Sequence, residues 1–178
     1  MSSRVTQLAY GPLRCPVTLS RCCQVRTIHT YAIRPDLMQR TDRRQSRTLR
    51  TGTDLVQISR IAESLENFGE KFMRRLFTEH EISYAMSSEA LRAERFAKRF
   101  AAKEATIKAL DLSEVGLDWR QIEVQREAGG QCSLVLHGAA REAAARARVR
   151  ELALSLSHAG DYATAMVVAL AAEPDSKD

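Results

Sequence analysis

The sequence predicts an α+β domain in which an antiparallel sheet packs against one long central helix. Three observations carry that prediction. Residues 95–110, RFAKRFAAKEATIKAL, contain no Pro or Gly and are rich in Ala, Lys, Arg and Glu, the composition of a stable helix. In the second half the apolar period changes from helical to alternating over 121–125, 132–136 and 152–156. Gly129-Gly130 and His158-Ala-Gly-Asp161 then supply hairpin turns, so that consecutive strands run antiparallel.

The chain divides by charge before it divides by pattern. Residues 1–50 hold ten Arg, no Lys and two Asp, a net of +8; the remaining 17 basic and 20 acidic residues leave 51–178 at −3. The N-terminal segment is rich in Arg, Ser and Thr, has prolines at 12, 16 and 35, and shows little hydrophobic periodicity. Such a segment buries too little apolar surface to offset chain entropy, and 1–50 is expected to be disordered or weakly ordered. Three readings stay open for it: an organellar transit peptide, a basic arm for an anionic surface, or an upstream stretch before the true start. The four cysteines, Cys15, Cys22, Cys23 and Cys132, form neither a disulfide framework nor a CxxC-with-His metal pattern, which points to a reducing compartment. No apolar run is long enough to span a bilayer, and a cytoplasmic location is expected.

Order is expected from Thr51. Gly52-Thr-Asp-Leu-Val reads as a short strand, followed by a helix capped by Ser59 with Ile58, Ile61, Leu65 and Phe68 as its stripe and Gly69 as its stop. Thr78-Glu-His-Glu81 is a capping-box signature and starts a second helix, which Ser87-Ser88 ends. The long helix then runs from about Ala90 to Leu110, with Phe96, Phe100, Ile107 and Leu110 on its apolar side. Glu104 and Lys108 project together from the flank, framed by Ala97 and Ala101, which leaves room for something to approach. Lys103 lies near the middle of the apolar side and must either snorkel out or meet an anion or another subunit. After two strands around Gly129-Gly130, an Ala- and Arg-rich helix occupies about 138–148, and strands over 152–156 and 162–170 complete the domain at about 172. Residues 173–178 are a polar tail.

Two carboxylates on different elements, Asp54 and Glu104, have no His or Cys near them in sequence. That donor chemistry suits a hard cation such as Mg²⁺, which is commonly held by one or two carboxylates together with substrate phosphates and water. Lys108, Lys103 and Arg99 would bring positive charge to the same phosphates. Taken singly, each residue has a plainer reading: an Asp before a helix is commonly a turn or cap residue, and a Glu-Lys i,i+4 pair is common on solvated helices.

Taken together, GTDLVQISRI, LFTEHE, RFAAKEATIKAL, DWRQIEV and SLSHAGDYATA resemble, in order and spacing, the holo-[acyl-carrier-protein] synthases, the small bacterial-type class of 4′-phosphopantetheinyl transferases. The resemblance covers about two thirds of the chain, from Gly52 to Leu170. It implies the family's α+β fold, a homotrimer with active sites between subunits, and Mg-dependent transfer of the phosphopantetheine of coenzyme A to a serine of acyl carrier protein in support of fatty acid biosynthesis. By the same resemblance Asp54 and Glu104 are the metal acids, Lys108 stands beside the phosphate and His158 holds the nucleotide end. Arg60 matches an arginine that contacts the carrier, and Lys71, Arg74 and Arg75 would extend that basic patch. The proton of the carrier serine has three candidate acceptors, a metal-assisted water, Glu104 and Lys108, of which the water is weakly preferred. Two departures stand out. The lead-in to GTD is polar, Thr-Leu-Arg-Thr, and the loop after Leu110 has only Gly116 where the family carries several glycines. The competing reading, nucleic-acid binding through residues 1–50, explains the arginines but not the acid-bearing motifs in a net-negative domain, so a nucleic-acid or membrane partner is not expected.

Overall fold

The computed structural model describes residues 47–113 and 116–172. The expectations for 1–46 and for the tail 173–178 lie outside the described residues. Strand β1 (Arg47–Gln57) pairs along its whole length with β5 (Tyr162–Ala172), and β5 pairs on its other edge with β4 (Val149–Ala159), giving an antiparallel sheet of order β1-β5-β4. A separate hairpin joins β2 (Ile122–Arg126) and β3 (Cys132–Leu136). Four helices, α1 (Ile58–Leu76), α2 (Glu79–Met86), α3 (Arg92–Leu110) and α4 (Gly138–Arg146), complete the described α+β fold.

Helix α3 lies against the inner face of the sheet, and small residues on both sides set how closely. On β5, Ala163, Ala165, Val167, Ala169 and Ala171 alternate inward; α3 answers with buried Ala101, Ala102, Ala105 and Ala109. Gly52 fixes the closest approach. A Cβ at that position would stand 2.0 Å from the Ala105 carbonyl oxygen and 2.7 Å from the Ala109 nitrogen, so no residue with a side chain fits without moving β1. The alanines beside Glu104 therefore do not leave space for a ligand, as the pattern suggested. The sheet fills that space.

Two other expectations change. The polar lead-in before Gly52 is strand from Arg47 onward, because β5 is long enough to pair residues 47–51 with 168–172; Arg47, Leu49 and Thr51 point to the exposed face, where no apolar pattern is required. Helix α1 is not capped by Ser59. Its N-cap is Gln57, which makes no side-chain cap bond, and the open amides are met by a remote residue in the β4–β5 turn. The Ile58 N–H donates to the Asp161 carbonyl at 2.8 Å, the Ser59 N–H to Asp161 Oδ1 at 2.9 Å, and Ser59 Oγ to Oδ2 at 2.7 Å. Gly69 does break the helix, at φ 51°, but helical structure resumes and continues to Leu76. The capping box of Thr78 and Glu81 forms as its sequence predicts. Helix α3 ends on Asp111 at φ 55°, a left-handed position that glycine would occupy more easily.

Candidate functional site

The close approach of β1 to α3 puts Asp54 against the flank that carries Glu104 and Lys108. Lys108 Nζ donates to Asp54 Oδ1 at 2.8 Å and to the Thr53 carbonyl at 3.1 Å. Asp54 is held in the sheet by its own carbonyl, which accepts from Thr164 Oγ1 at 2.8 Å. Lys108 is thus the partner of the remote Asp54; the ion pairs of the described residues do not include a Glu104–Lys108 contact. The Asp54 hydrogen bond is the chief cause that raises the pKa of Lys108, so its ammonium is protonated across the physiological range. Glu104 responds in the opposite sense to an ordinary ion-paired acid. Burial first, and then the charge of Asp54, push its pKa up, against the pull of Lys108.

These acids open onto a cavity of about 450 Å³ lined by Asp54, Gln57, Arg60, Phe72, Phe100 and Glu104 among others. Its chemistry is a carboxylate pair at one side, an arginine from the first helix and an apolar wall. The Phe100 ring stacks on Trp119 at 5.2 Å, which stiffens that wall. Among the described residues no three His, Cys, Asp or Glu side chains cluster as a complete metal cage. Two carboxylate donors, with Asp54 raising the pKa of Glu104, nevertheless fit a hard divalent cation whose remaining ligands come from phosphate and water.

The other predicted residues are placed differently. Lys103 is fully buried, and its ammonium donates to Glu81 Oε2 at 2.9 Å, to the Trp119 carbonyl at 3.1 Å and to the Ile122 carbonyl. An ammonium has three N–H donors, so none is left for a phosphate. The expectation that Lys103 binds the coenzyme is therefore corrected, while the expectation that it meets an anion is met by Glu81. Arg99 is 2% exposed and lies five positions before Glu104, about 140° around the helix from it. Its guanidinium covers the Tyr84 ring at 4.2 Å, with Arg95 at 4.6 Å and Arg126 at 5.5 Å from the same ring. The Arg99 Nε and Nη2 atoms are buried without a hydrogen-bond partner. Nor does one chain bring His158 to the acids. Its Nε2 stands 3.3 Å from Glu94 Oε2, and Glu94 precedes Glu104 by ten positions, about 15 Å along the helix axis.

On α1, Arg60 is exposed at the cavity rim, and Lys71 and Arg75 are exposed beyond the Gly69 break. Arg74 is engaged by Glu70 and Glu79, so it adds little free charge to that patch. Sequence reasoning missed three contributors. Gly52 was visible only as part of GTD, Glu81 only as a capping residue, and Trp119 only as part of DWRQIEV, since its ring partner Phe100 lies 19 positions away.

Comparisons with known proteins agree with this architecture. The profile of the 4′-phosphopantetheinyl transferase superfamily matches residues 50–167. The holo-[acyl-carrier-protein] synthase of Koribacter versatilis is 45% identical over 67% of this chain and 96% of its own. The solved ACPS–CoA complex of Chronobacterium ammoniagenes superposes with a TM-score of 0.62 at 34% identity, covering 71% of this chain and 99% of that one. The synthase of Helicobacter pylori in complex with coenzyme A gives a TM-score of 0.59 at 28% identity, covering 67% and 98%. With residues 50–167 matched by that profile and Asp54 and Glu104 brought to one cavity, the chain belongs to the 4′-phosphopantetheinyl transferase superfamily.

Proposed function

We propose that the chain is a holo-[acyl-carrier-protein] synthase, transferring the 4′-phosphopantetheine group of coenzyme A to a serine of an apo acyl carrier protein and releasing adenosine 3′,5′-bisphosphate. The observation that carries this reading is the facing pair Asp54 and Glu104, with Lys108 between strand and helix, at the mouth of a cavity large enough for an extended arm. Asp54 and Glu104 would hold Mg²⁺, which when bound polarises the pyrophosphate and neutralises the departing bisphosphate. Lys108 is charged and anchored, so it binds phosphate oxygens rather than taking up the serine proton. With Glu104 committed to the cation, a water polarised there would take up the serine proton. Phe72 and Phe100 form the apolar wall along which the arm lies, with Trp119 stacked on Phe100.

The carrier docks against α1, where Arg60, Lys71 and Arg75 meet its acidic surface. Such rim charges act mainly on association rate. The chain works as a homotrimer. Leu49, Leu55 and Met166, on the sheet face away from α3, are 63%, 65% and 50% exposed, an apolar surface that a second copy would cover. A neighbouring copy would also supply His158 to the nucleotide end of the coenzyme, which explains why it does not reach the acids of its own chain. Fatty acid biosynthesis in the cytoplasm is the setting this activity implies; no helix among the described residues is long and apolar enough to cross a membrane.

The test is direct. Incubation of apo carrier with coenzyme A, Mg²⁺ and this protein should add one phosphopantetheinyl group by mass spectrometry, and EDTA should abolish it. Several apo carriers left unmodified would reject the enzyme reading. Sedimentation of the full chain tests the trimer, and Leu55→Glu should release monomers.

A further inference from the structure

The pair Glu81–Lys103 has no part in the reaction as described, yet its two side chains together engage four separate backbone groups. Glu81 and Lys103 are both fully buried. Glu81 Oε2 accepts from Lys103 and from the Thr78 N–H at 3.0 Å, and its Oε1 accepts from the Val124 N–H at 3.1 Å. Lys103 adds the carbonyls of Trp119 and Ile122. Two side chains thus tie the start of α2, the middle of α3, the turn Trp119–Gln121 and β2 at one point. A buried ion pair is a poor source of net stability, since desolvation offsets its attraction, so its directional effect is the one to consider.

That effect falls on the neighbouring residue. Lys103 and Glu104 are consecutive on α3 and point about 100° apart, so anchoring one sets the rotation of the other. A carboxylate roughly 6 Å from the helix axis shifts about 1 Å for a 10° turn, and a misplacement of that size can cost on the order of 100-fold in rate. On the opposite flank Gly52 fixes the height of β1 and hence of Asp54, and Lys108, half exposed, bridges the two elements through Asp54 and the Thr53 carbonyl. The Lys103 ammonium also holds the Trp119 carbonyl, and the Trp119 ring braces Phe100 in the cavity wall. We propose that Glu81 and Lys103 are positioning residues, which lock the rotation of α3 so that Glu104 faces Asp54 across the cation site. The inference rests on the metal role of the two carboxylates.

Glu81→Gln, which keeps an acceptor for the Val124 N–H, and the double variant Glu81→Gln/Lys103→Met, which removes both charges at similar volume, test it in the full chain. Mn²⁺ binding is read by electron paramagnetic resonance with and without coenzyme A, with Glu104→Ala defining loss of the site. Both variants should bind Mn²⁺ about tenfold more weakly and lower kcat by about 100-fold, with KM for the carrier unchanged. Variants that fold and bind Mn²⁺ like the wild type overturn the proposal, and so do variants that yield no folded protein, because the pair is then a folding element only. If wild-type protein binds Mn²⁺ through Glu104 but modifies no carrier, the enzyme reading fails, while the metal affinities still decide on the pair.

Discussion

Lys103 and Lys108 stand on the same helix, five positions apart, and have opposite fates. Lys103 is fully buried, with every donor consumed by Glu81 and two carbonyls, and burial lowers its pKa against the opposing pull of Glu81. Lys108 is half exposed, bound to one carboxylate that a phosphate can displace, and its pKa is raised. Around Lys103 the helix α3 meets a closed network in which the ammonium has all three of its donors engaged. The flank with Lys108 leaves two acids sharing a single lysine beside an open cavity. The difference shows that a lysine's chemistry is set by how many of its donors the fold has already used, not by its place in a motif.

The sharpest break in this comparison comes from the open flank. Asp54→Ala and Glu104→Ala should each lower turnover on the order of 1,000-fold, as loss of a main electrostatic contact does, with circular dichroism unchanged. Normal turnover in either would remove that residue from the site. On the closed flank the loss should appear in stability. Lys103→Met leaves Glu81 buried without its counter-charge and should cost about 3–5 kcal/mol in denaturant unfolding.

Gly52→Ala links the two readouts. Its Cβ would collide with the Ala105 carbonyl and push β1 from α3, at a cost of about 1–3 kcal/mol. Activity should fall with it, because Asp54 travels with the strand. A stable and fully active variant would mean that the strand has freedom the packing does not show.

The smallest effect has the most specific sign. Burial and Asp54 raise the pKa of Glu104, so its ionised form destabilises the native state. That cost is absent below the ordinary carboxylate range, grows as pH rises through the raised native value, and is complete above it. Glu104→Gln should therefore match the wild type near pH 4 and be slightly more stable than it at pH 8, an effect kept small by solvent screening, while losing activity. Equal stability at both pH values would show that Glu104 carries no strain.

The legible parts of the molecule were those whose causes lie close together in the chain. The Thr78–Glu81 capping box, the Gly69 break and the Gly129-Gly130 turn each depend on a few consecutive residues, and each formed where its residues stand. The cap of α1 depends on Asp161, 102 positions from Ser59, and no local pattern marks it. The strand before Gly52 was obscured because its side chains are mostly polar, with Leu49 alone among Arg and Thr, and its hydrogen bonds come from β5. At the site, Asp54, Glu104 and Lys108 were legible through motif resemblance and were brought together. Lys103 and Arg99 were misassigned to the same phosphates because helical spacing shows which way a side chain leaves the helix, but not what already occupies the space it enters.

The most direct test of the account is a crystal of the full chain grown with coenzyme A and Mn²⁺ and measured at the manganese absorption edge. The account predicts an anomalous peak between the Asp54 and Glu104 carboxylates, within coordinating distance of the coenzyme pyrophosphate. A coenzyme bound with manganese elsewhere, or with the pyrophosphate remote from both acids, would contradict it.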